Sequence, residues 1–176
     1  MKSSFTDLIN KRRSHRKYTE QHLTPEEVET ILKAGLMAPS SKSKNPWNFI
    51  VIENKETLLQ LAKCKPHGSK PLENCVIAIV VIADALVSDA WIEDASIASI
   101  MMQLQAEDLG LGSCWIQIRN RLTENEEDSG SYVKNILDIP MPFEVLSIIT
   151  IGHKLQERPS IDSDSLQWEK IHIEKF

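Results

Sequence analysis

The sequence predicts a β-sheet covered by helices, of the α+β or α/β class, because apolar segments of two kinds alternate along the chain. Short, β-branched runs of strand type are separated by longer stretches with helical periodicity. The chain has 176 residues, of which 41% are hydrophobic and 26% charged, so it can bury one substantial core. We therefore expect a single domain over residues 1–176.

The clearest helix start is Thr24, which offers a hydroxyl group at the N-cap. A proline follows at the first helical position, and Glu27 stands at the capping-box position. Apolar residues at helical spacing continue to Leu36. Pro39 then ends the helix, because the residue before a proline is pushed out of the helical region. A polar loop through Asn45 and a strand over 48–53 are expected next.

The middle of the chain predicts a strand and a long helix. After a short amphipathic helix at 55–62, the loop 63–72 is rich in Lys, Pro and Gly and is expected to be mobile. Residues 75–83 form an uninterrupted apolar run, as a strand covered on both faces does. Residues 89–109 predict a central, mostly buried helix, because their apolar positions surround the helix axis. Gly110 suits its left-handed C-terminal cap.

The last third predicts two more strands, at 113–118 and 145–151, with a short helix at 132–137 between them. Beyond Gly152 no core pattern is present until the aromatic segment 168–176. That segment suggests a C-terminal extension that packs on a partner.

Charge and hydropathy exclude several classes of function. A net charge of -5 and a pI near 5.6 argue against nucleic-acid binding, which needs a basic face. The longest apolar run, 75–83, is shorter than the roughly 20 residues of a membrane span. The basic residues at 11–13 do not precede an apolar run, so no secretory signal is predicted. We expect a cytoplasmic protein that acts on small molecules.

The motifs for common catalytic and metal chemistry are missing. The five histidines and three cysteines show no metal-ligand spacing, so no metal site is predicted. Cys75 and Cys114 lie in apolar segments and are interpreted as buried, inert thiols. No GxSxG, GxGxxG or Walker motif is present, so serine hydrolysis, Rossmann binding and P-loop chemistry find no support.

The first candidate site is the arginine cluster, residues 12–16, which follows a short helix and reads Arg12-Arg13-Ser14-His15-Arg16. Guanidinium groups offer paired donors to phosphate oxygens, and the serine hydroxyl adds another donor. The alternative is a solvated basic turn that compensates the helix dipole. The cluster alone does not decide between the two.

The second candidate is the serine loop, residues 38–46, which leads into a strand. It holds Pro39, Ser40, Ser41 and Asn45. Its alternative is an ordinary helix-to-strand connection rich in turn formers, in which the following tryptophan packs in the core.

Together, the two motifs resemble the nitroreductase family, which opens with Arg-Arg-Ser-x-Arg and continues with a helix and an Ala-Pro-Ser-Ser loop before Pro-Trp-x-Phe. The order of the later segments is also similar, including Leu-Gly-Leu-Gly-Ser-Cys-Trp at 109–115 and an aromatic C-terminus. The resemblance covers nearly all of the chain. It implies an α+β fold, a three-layer α/β/α sandwich with a central, mixed but mainly antiparallel sheet and a C-terminal extension on the partner subunit.

The resemblance also implies which residues bind FMN. The arginines Arg12 and Arg13 and the hydroxyl of Ser14 would serve the phosphate, and Arg16 the pyrimidine edge of the flavin, where a cation stabilises the charge of the reduced ring. The serine loop would reach the flavin of the other subunit, which implies a homodimer. The family's backbone contacts to the ring fall on Trp115, Ile116 and Gln117. A late phosphate-binding arginine of the family falls near Ser165, which leaves Lys154 and Arg158 as substitutes.

The implied activity is the reduction of nitroaromatic, quinone or related acceptors by NADH or NADPH, in a ping-pong hydride transfer through FMN. No catalytic side chain is needed, since the flavin carries out the electron transfer. Two alternatives stay open at this point. One is another flavin reaction on the same fold, such as dehalogenation or O₂-dependent chemistry. The other is an FMN-binding or redox-sensing module with poor turnover.

Overall fold

Four antiparallel strands form one sheet in a computed structural model, which describes residues 4–176. Their order is β1-β2-β4-β3, and their bounds are β1 (Trp47–Ile52), β2 (Ile77–Asp84), β3 (Leu111–Gln117) and β4 (Phe143–His153). The helices are α1 (Phe5–Lys11), α2 (Pro25–Leu36), α3 (Lys55–Leu61), α4 (Pro71–Asn74), α5 (Trp91–Asp108) and α6 (Ser129–Leu137). All four strands lie close to the predicted positions.

The sheet is the middle of three layers. On one face, Ile31 of α2 and Met102 of α5 pack against the strands, and on the other face Leu58 of α3 and Val133 of α6 do so. These four side chains are essentially inaccessible to water, and each contributes about 1.5–3 kcal/mol by burial. The α+β sandwich expected from the sequence is therefore confirmed, with antiparallel pairing between the named strands.

The start of α2 follows the sequence prediction in detail. The Thr24 side chain accepts a hydrogen bond from the backbone N–H of Glu27 at 3.2 Å. The Glu27 carboxylate in turn accepts one from the backbone N–H of Thr24 at 2.7 Å. This capping box satisfies two of the donors that a helix start leaves free.

The helix α5 is central, as predicted, but one strip of its surface stays exposed. Ala98 and Met102 are fully buried, whereas Ile97 and Ile100 remain 38% and 39% exposed. The C-terminal end follows the prediction, since Gly110 has φ of 76° and supplies the left-handed cap.

The segment 63–72, expected to be a mobile loop, is anchored in the structure. Cys64 and Leu72 are fully buried, and the short helix α4 begins at its end. The hydroxyl of Ser129 donates a hydrogen bond to the carbonyl of Cys64 at 2.6 Å. A long-range contact to α6 thus fixes a segment whose composition predicts a loop.

The C-terminal residues 155–176 are exposed throughout. They contain two short 3-10 turns, Ser163–Ser165 and Trp168–Lys170, and carry large apolar side chains into solvent. Trp168 is 68% exposed and Ile173 is 86% exposed. No helix among residues 4–176 has the length and apolar character to cross a bilayer.

Candidate functional site

The arginine cluster lies along the outer edge of β3. After α1 ends, the backbone N–H of His15 donates to the carbonyl of Ser113 at 2.9 Å, and Ser14 forms a parallel bridge with the same residue. The Tyr18 hydroxyl donates to the carbonyl of His15 at 2.6 Å. Backbone pairing therefore fixes the direction in which the side chains of residues 12–18 leave the sheet.

Two glycines on adjacent strands allow this segment to approach. Gly112 of β3 and Gly152 of β4 are directly opposite each other. A Cβ atom on Gly112 would lie 2.8 Å from the Cβ of His15, and one on Gly152 would lie 2.9 Å from the ring of Tyr18. Since neither distance is compatible with a side chain, glycine is required at both positions.

Arg158 joins the cluster from the C-terminal segment. Its guanidinium group donates to the carbonyl of Ser14 at 3.0 Å, and it lines one cleft together with Arg16. Among residues 4–176, no carboxylate lies within ion-pair distance of Arg12, Arg13, Arg16 or Arg158. Four guanidinium groups without an acidic partner have the donor chemistry for a phosphate group.

The ring of His15 sits beneath the cluster, where the residue is only 4% exposed. Burial lowers the pKa of His15, and the nearby charge of Lys154 lowers it further. A neutral imidazole is therefore favoured, and the positive charge of the site comes from the arginines.

Lys154 does not point to solvent. Its ammonium group is 2.9 Å from the carboxylate of Glu107 and 3.4 Å from that of Glu157. The side chains of Lys154 and Glu107 are 8% and 7% exposed. The structure thus brings Arg158 to the arginine cluster and holds Lys154 in a buried ion pair.

The outer end of β3 presents a set of internally bonded groups. Ile116 is buried in the core, while the indole N–H of Trp115 donates to the side-chain oxygen of Gln117 at 2.9 Å. The amide nitrogen of Gln117 donates to the carbonyl of Arg119 at 2.8 Å. These bonds hold the glutamine side chain against its neighbours at the end of β3.

Lys65 makes a polar contact with β3 that the sequence did not predict. Its ammonium group donates to the backbone carbonyl of Gln117 at 3.1 Å. Burial lowers the pKa of Lys65. The lysine-rich composition of 63–72 is a signal for positive charge, but only the anchoring of that segment brings this lysine to β3.

The serine loop has a fixed shape. The Ser40 hydroxyl donates to the side-chain oxygen of Asn45 at 2.7 Å, and the backbone N–H of Asn45 donates back to it at 2.9 Å. The N–H of Ser41 donates to the buried carboxylate of Asp94 at 2.7 Å, which also accepts from Ser88 at 3.0 Å. Left-handed backbone occurs at Lys42, Ser43 and Asn45.

Pro39 is exposed at the start of this loop. Trp47, which follows the loop, is 6% exposed and packs in the core. The tryptophan thus packs in the core, as expected for an ordinary helix-to-strand connection, and Pro39 in the loop before it is accessible to solvent.

Within one chain, the two candidate regions lie at diagonally opposite corners of the sheet. Trp47 pairs with Ala83 at one end of β2, whereas Ser113 aligns through β4 with Ile77 at the other end. Three strand spacings across and six residues along the strands give a diagonal of roughly 24 Å. The two candidate regions of one chain are therefore well separated along the sheet.

Comparison with known proteins agrees with the motifs. The model of the Nitroreductase family matches residues 9–73 and 75–153, which include the arginine cluster, the serine loop and all four strands. The chain belongs to the nitroreductase family. The expected resemblance is thereby confirmed over most of its length.

Individual family members are similar over nearly their whole length. A protein of Archaeoglobus fulgidus, provisionally named NADH dehydrogenase/NAD(P)H nitroreductase, is 33% identical over 96% of this chain and 97% of its own. An FMN-dependent nitroreductase of Clostridium difficile R20291 is 44% identical, with a TM-score of 0.94 over 96% of this chain and 98% of that one.

A second similar solved structure carries a different name. The protein, from Clostridium acetobutylicum and titled an NADH oxidase, is 29% identical, with a TM-score of 0.88 over 97% of this chain and 100% of that one. The fold is thus shared with proteins named as a nitroreductase and as an NADH oxidase.

Proposed function

We propose that this chain is an FMN-dependent oxidoreductase that uses NADH or NADPH to reduce a small organic acceptor, of which nitroaromatics and quinones are the first to test. The observation that carries the proposal is the group of four arginines around Ser14, which have no acidic partner in the part of the chain that the structure describes. A similar, FMN-dependent nitroreductase at 44% identity supports the choice of cofactor.

The residues of the arginine cluster fit a flavin phosphate. In this proposal Arg12, Arg13 and Arg158 hold the phosphate with charge-assisted hydrogen bonds, and the Ser14 hydroxyl adds a donor. Arg16 supplies a fixed positive charge for the pyrimidine edge. These residues would hold FMN, whose chemistry when bound would be two-electron transfer from the nicotinamide to the acceptor in a ping-pong sequence. The backbone of Trp115, Ile116 and Gln117 would line one side of the ring.

The proposal includes a homodimer. The roughly 24 Å between the two candidate regions of one chain leaves the serine loop free to serve a second chain. Pro39, Ser40, Ser41 and Asn45 would then contact the flavin held by the arginines of the partner.

An exposed apolar surface supports association. Leu36 and Met37 at the end of α2 are 64% and 75% exposed, and Ile97 and Ile100 are exposed on α5, the helix against which α2 packs. A cluster of large apolar side chains on a protein surface marks an interaction site. The exposed C-terminal residues 155–176 would add to the same interface. Cytoplasmic location and a single domain over residues 1–176 remain predictions.

The test is the visible spectrum of the purified protein before and after NADH or NADPH is added without oxygen. A yellow protein that is bleached within seconds supports the proposal and identifies the preferred donor. A colourless protein that cannot be reconstituted with FMN would contradict it. A yellow protein that is not bleached would instead support an FMN-binding or redox-sensing module.

A second candidate function is oxygen reduction, favoured by the similar structure titled an NADH oxidase. Oxygen and NADH consumption in air, compared with acceptor reduction under nitrogen, separates the two. Rapid NADH consumption that needs only oxygen favours the oxidase. Dehalogenation, the remaining flavin reaction, is tested by halide release.

A further inference from the structure

The ion pair between Glu107 and Lys154 is unusual in its burial. Among residues 4–176, it is the one ion pair whose two side chains are both less than a tenth exposed, with 2.9 Å between its charged atoms. A charge that loses its partner in such a place is strongly destabilising. Separating the two side chains would therefore lower the stability of the fold.

The pair joins two elements that meet near the arginine cluster. Glu107 lies in the last turn of α5, where a carboxylate is unfavourable beside the negative end of the helix dipole. Lys154 immediately follows β4 and compensates that charge. Lys154, which directly precedes the C-terminal residues 155–176, is thereby fixed relative to α5.

The segment from Lys154 to Arg158 connects this pair to the cluster. The N–H of Leu155 donates to the carbonyl of Lys17 at 3.3 Å, and the guanidinium of Arg158 donates to the carbonyl of Ser14 at 3.0 Å. Since only three residues separate Lys154 from Arg158, the position of one constrains the other.

We infer that Glu107 and Lys154 form a positioning pair that places Arg158, and that Arg158, not Lys154, is the late cation for the flavin phosphate. The inference rests on the proposed function, because it takes the arginine cluster as the phosphate site. The ammonium group of Lys154 already faces two carboxylates, those of Glu107 and Glu157, and has no positive charge in excess to offer.

A charge swap separates the positioning role from a phosphate contact. The double variant Glu107→Lys/Lys154→Glu restores the ion pair with reversed polarity but puts a carboxylate at position 154. Dissociation constants for FMN and for riboflavin, which lacks the phosphate, are measured by flavin fluorescence quenching for this variant and the wild type.

The positioning role predicts that the swap keeps the preference for FMN over riboflavin within about twofold of wild type. Arg158→Met should instead weaken FMN binding by about tenfold or more and leave riboflavin binding unchanged. A swap variant that loses the FMN preference as Arg158→Met does would overturn the inference, because a carboxylate at 154 would then be repelling the phosphate.

A single variant keeps the test valid if the swap does not fold. Glu107→Gln keeps the shape of the side chain and removes its charge. If the pair positions Arg158, this variant should bind FMN more weakly. If Lys154 itself contacts the phosphate, the variant should bind FMN as tightly as the wild type or more tightly, because the Glu107 carboxylate no longer competes for the ammonium group. Glu29→Gln is the matched control, since that carboxylate pairs with Lys33 on the surface of α2 and is 64% exposed, and it should bind FMN as the wild type does.

The two levels of the proposal fail separately. A wild-type protein that binds no FMN contradicts the proposed function itself. A wild-type protein that binds FMN, together with a Glu107→Gln variant that binds it no less tightly, contradicts only the positioning pair.

Discussion

The arginine cluster and the serine loop differ in the partners of their polar groups. The guanidinium groups around Ser14 have no carboxylate nearby among the described residues. In the serine loop, the Ser40 hydroxyl is bonded to Asn45, and the Ser41 amide to Asp94. The first region therefore has charge available for a ligand, and the second has a preformed shape. We infer that the cluster provides affinity for the phosphate and the loop provides geometry.

The largest expected effect is on flavin affinity, through the cluster. Arg12→Ala together with Arg16→Ala removes two charge-assisted contacts, each worth about 1.5 to 3 kcal/mol, and should raise the FMN dissociation constant about 10² to 10⁴-fold. Equilibrium dialysis with FMN measures this. Arg121→Ala, which removes an exposed arginine elsewhere, is the control and should bind FMN normally. Full retention of FMN by the double variant would show that the cluster is a solvated basic turn.

The next effect tests the fixed shape of the serine loop. Asp94→Ala leaves the Ser41 amide and the Ser88 hydroxyl without their acceptor, which should lower the free energy of unfolding by about 2–4 kcal/mol. Urea denaturation followed by tryptophan fluorescence measures it. Asp94→Asn keeps one carbonyl oxygen and should lose less stability. An unchanged urea midpoint for the alanine variant would mean that the loop does not depend on this anchor.

A third experiment asks whether the two regions act across a subunit interface. A bulky residue in Ser40→Trp should obstruct the flavin site from the loop, and Arg12→Ala/Arg16→Ala should disable it from the cluster. If the loop acts on the other subunit, a mixed dimer of these two variants retains one intact site. Differently tagged chains, purified as mixed dimers, should then hold half of the wild-type flavin. A mixed dimer without flavin would place both regions in one chain's site.

The smallest effect is a loss of stability in alkaline solution, and it concerns the core in which Tyr18, close to the arginine cluster, packs together with Cys64 and Cys75. Burial raises the pKa of the Cys64 thiol to about 11 and that of the Cys75 thiol to about 12. Thiols of the unfolded chain ionise near pH 8.5, whereas these buried thiols stay protonated to a higher pH. Their contribution to the free energy of unfolding is therefore fully present below pH 8.5 and is lost as the pH rises towards 11–12. Urea midpoints between pH 8 and 10.5 should fall more steeply for the wild type than for Cys75→Ala. Parallel curves would show that burial does not hold this thiol protonated.

The sequence predicts local structure well where a few neighbouring residues determine it. The capping box at Thr24 and Glu27 and the left-handed cap at Gly110 involve contacts within one turn, and both were predicted. The apolar run of β2 also needs only composition, since a strand buried on both faces is apolar throughout.

Contacts between distant residues set the limit of prediction. The segment 63–72 is anchored by Ser129, which lies 65 residues after Cys64, and its composition alone predicts a mobile loop. Lys154 carries the charge expected of a phosphate ligand, but its partner Glu107 is 47 residues earlier in the chain. The family could be predicted from motifs, whereas the partner of each charge could not.

The contact between the first segment and the glycine pair has a consequence for biosynthesis. Residues 12–18 leave the ribosome first, whereas Gly112 and Gly152, on which they pack, are synthesised much later. The segment that carries the arginines therefore has no strand surface to pack on until β4 has emerged and paired with β3. If the arginines bind flavin as proposed, loading needs a chain translated at least to Arg158, and shorter translation products would be released without cofactor.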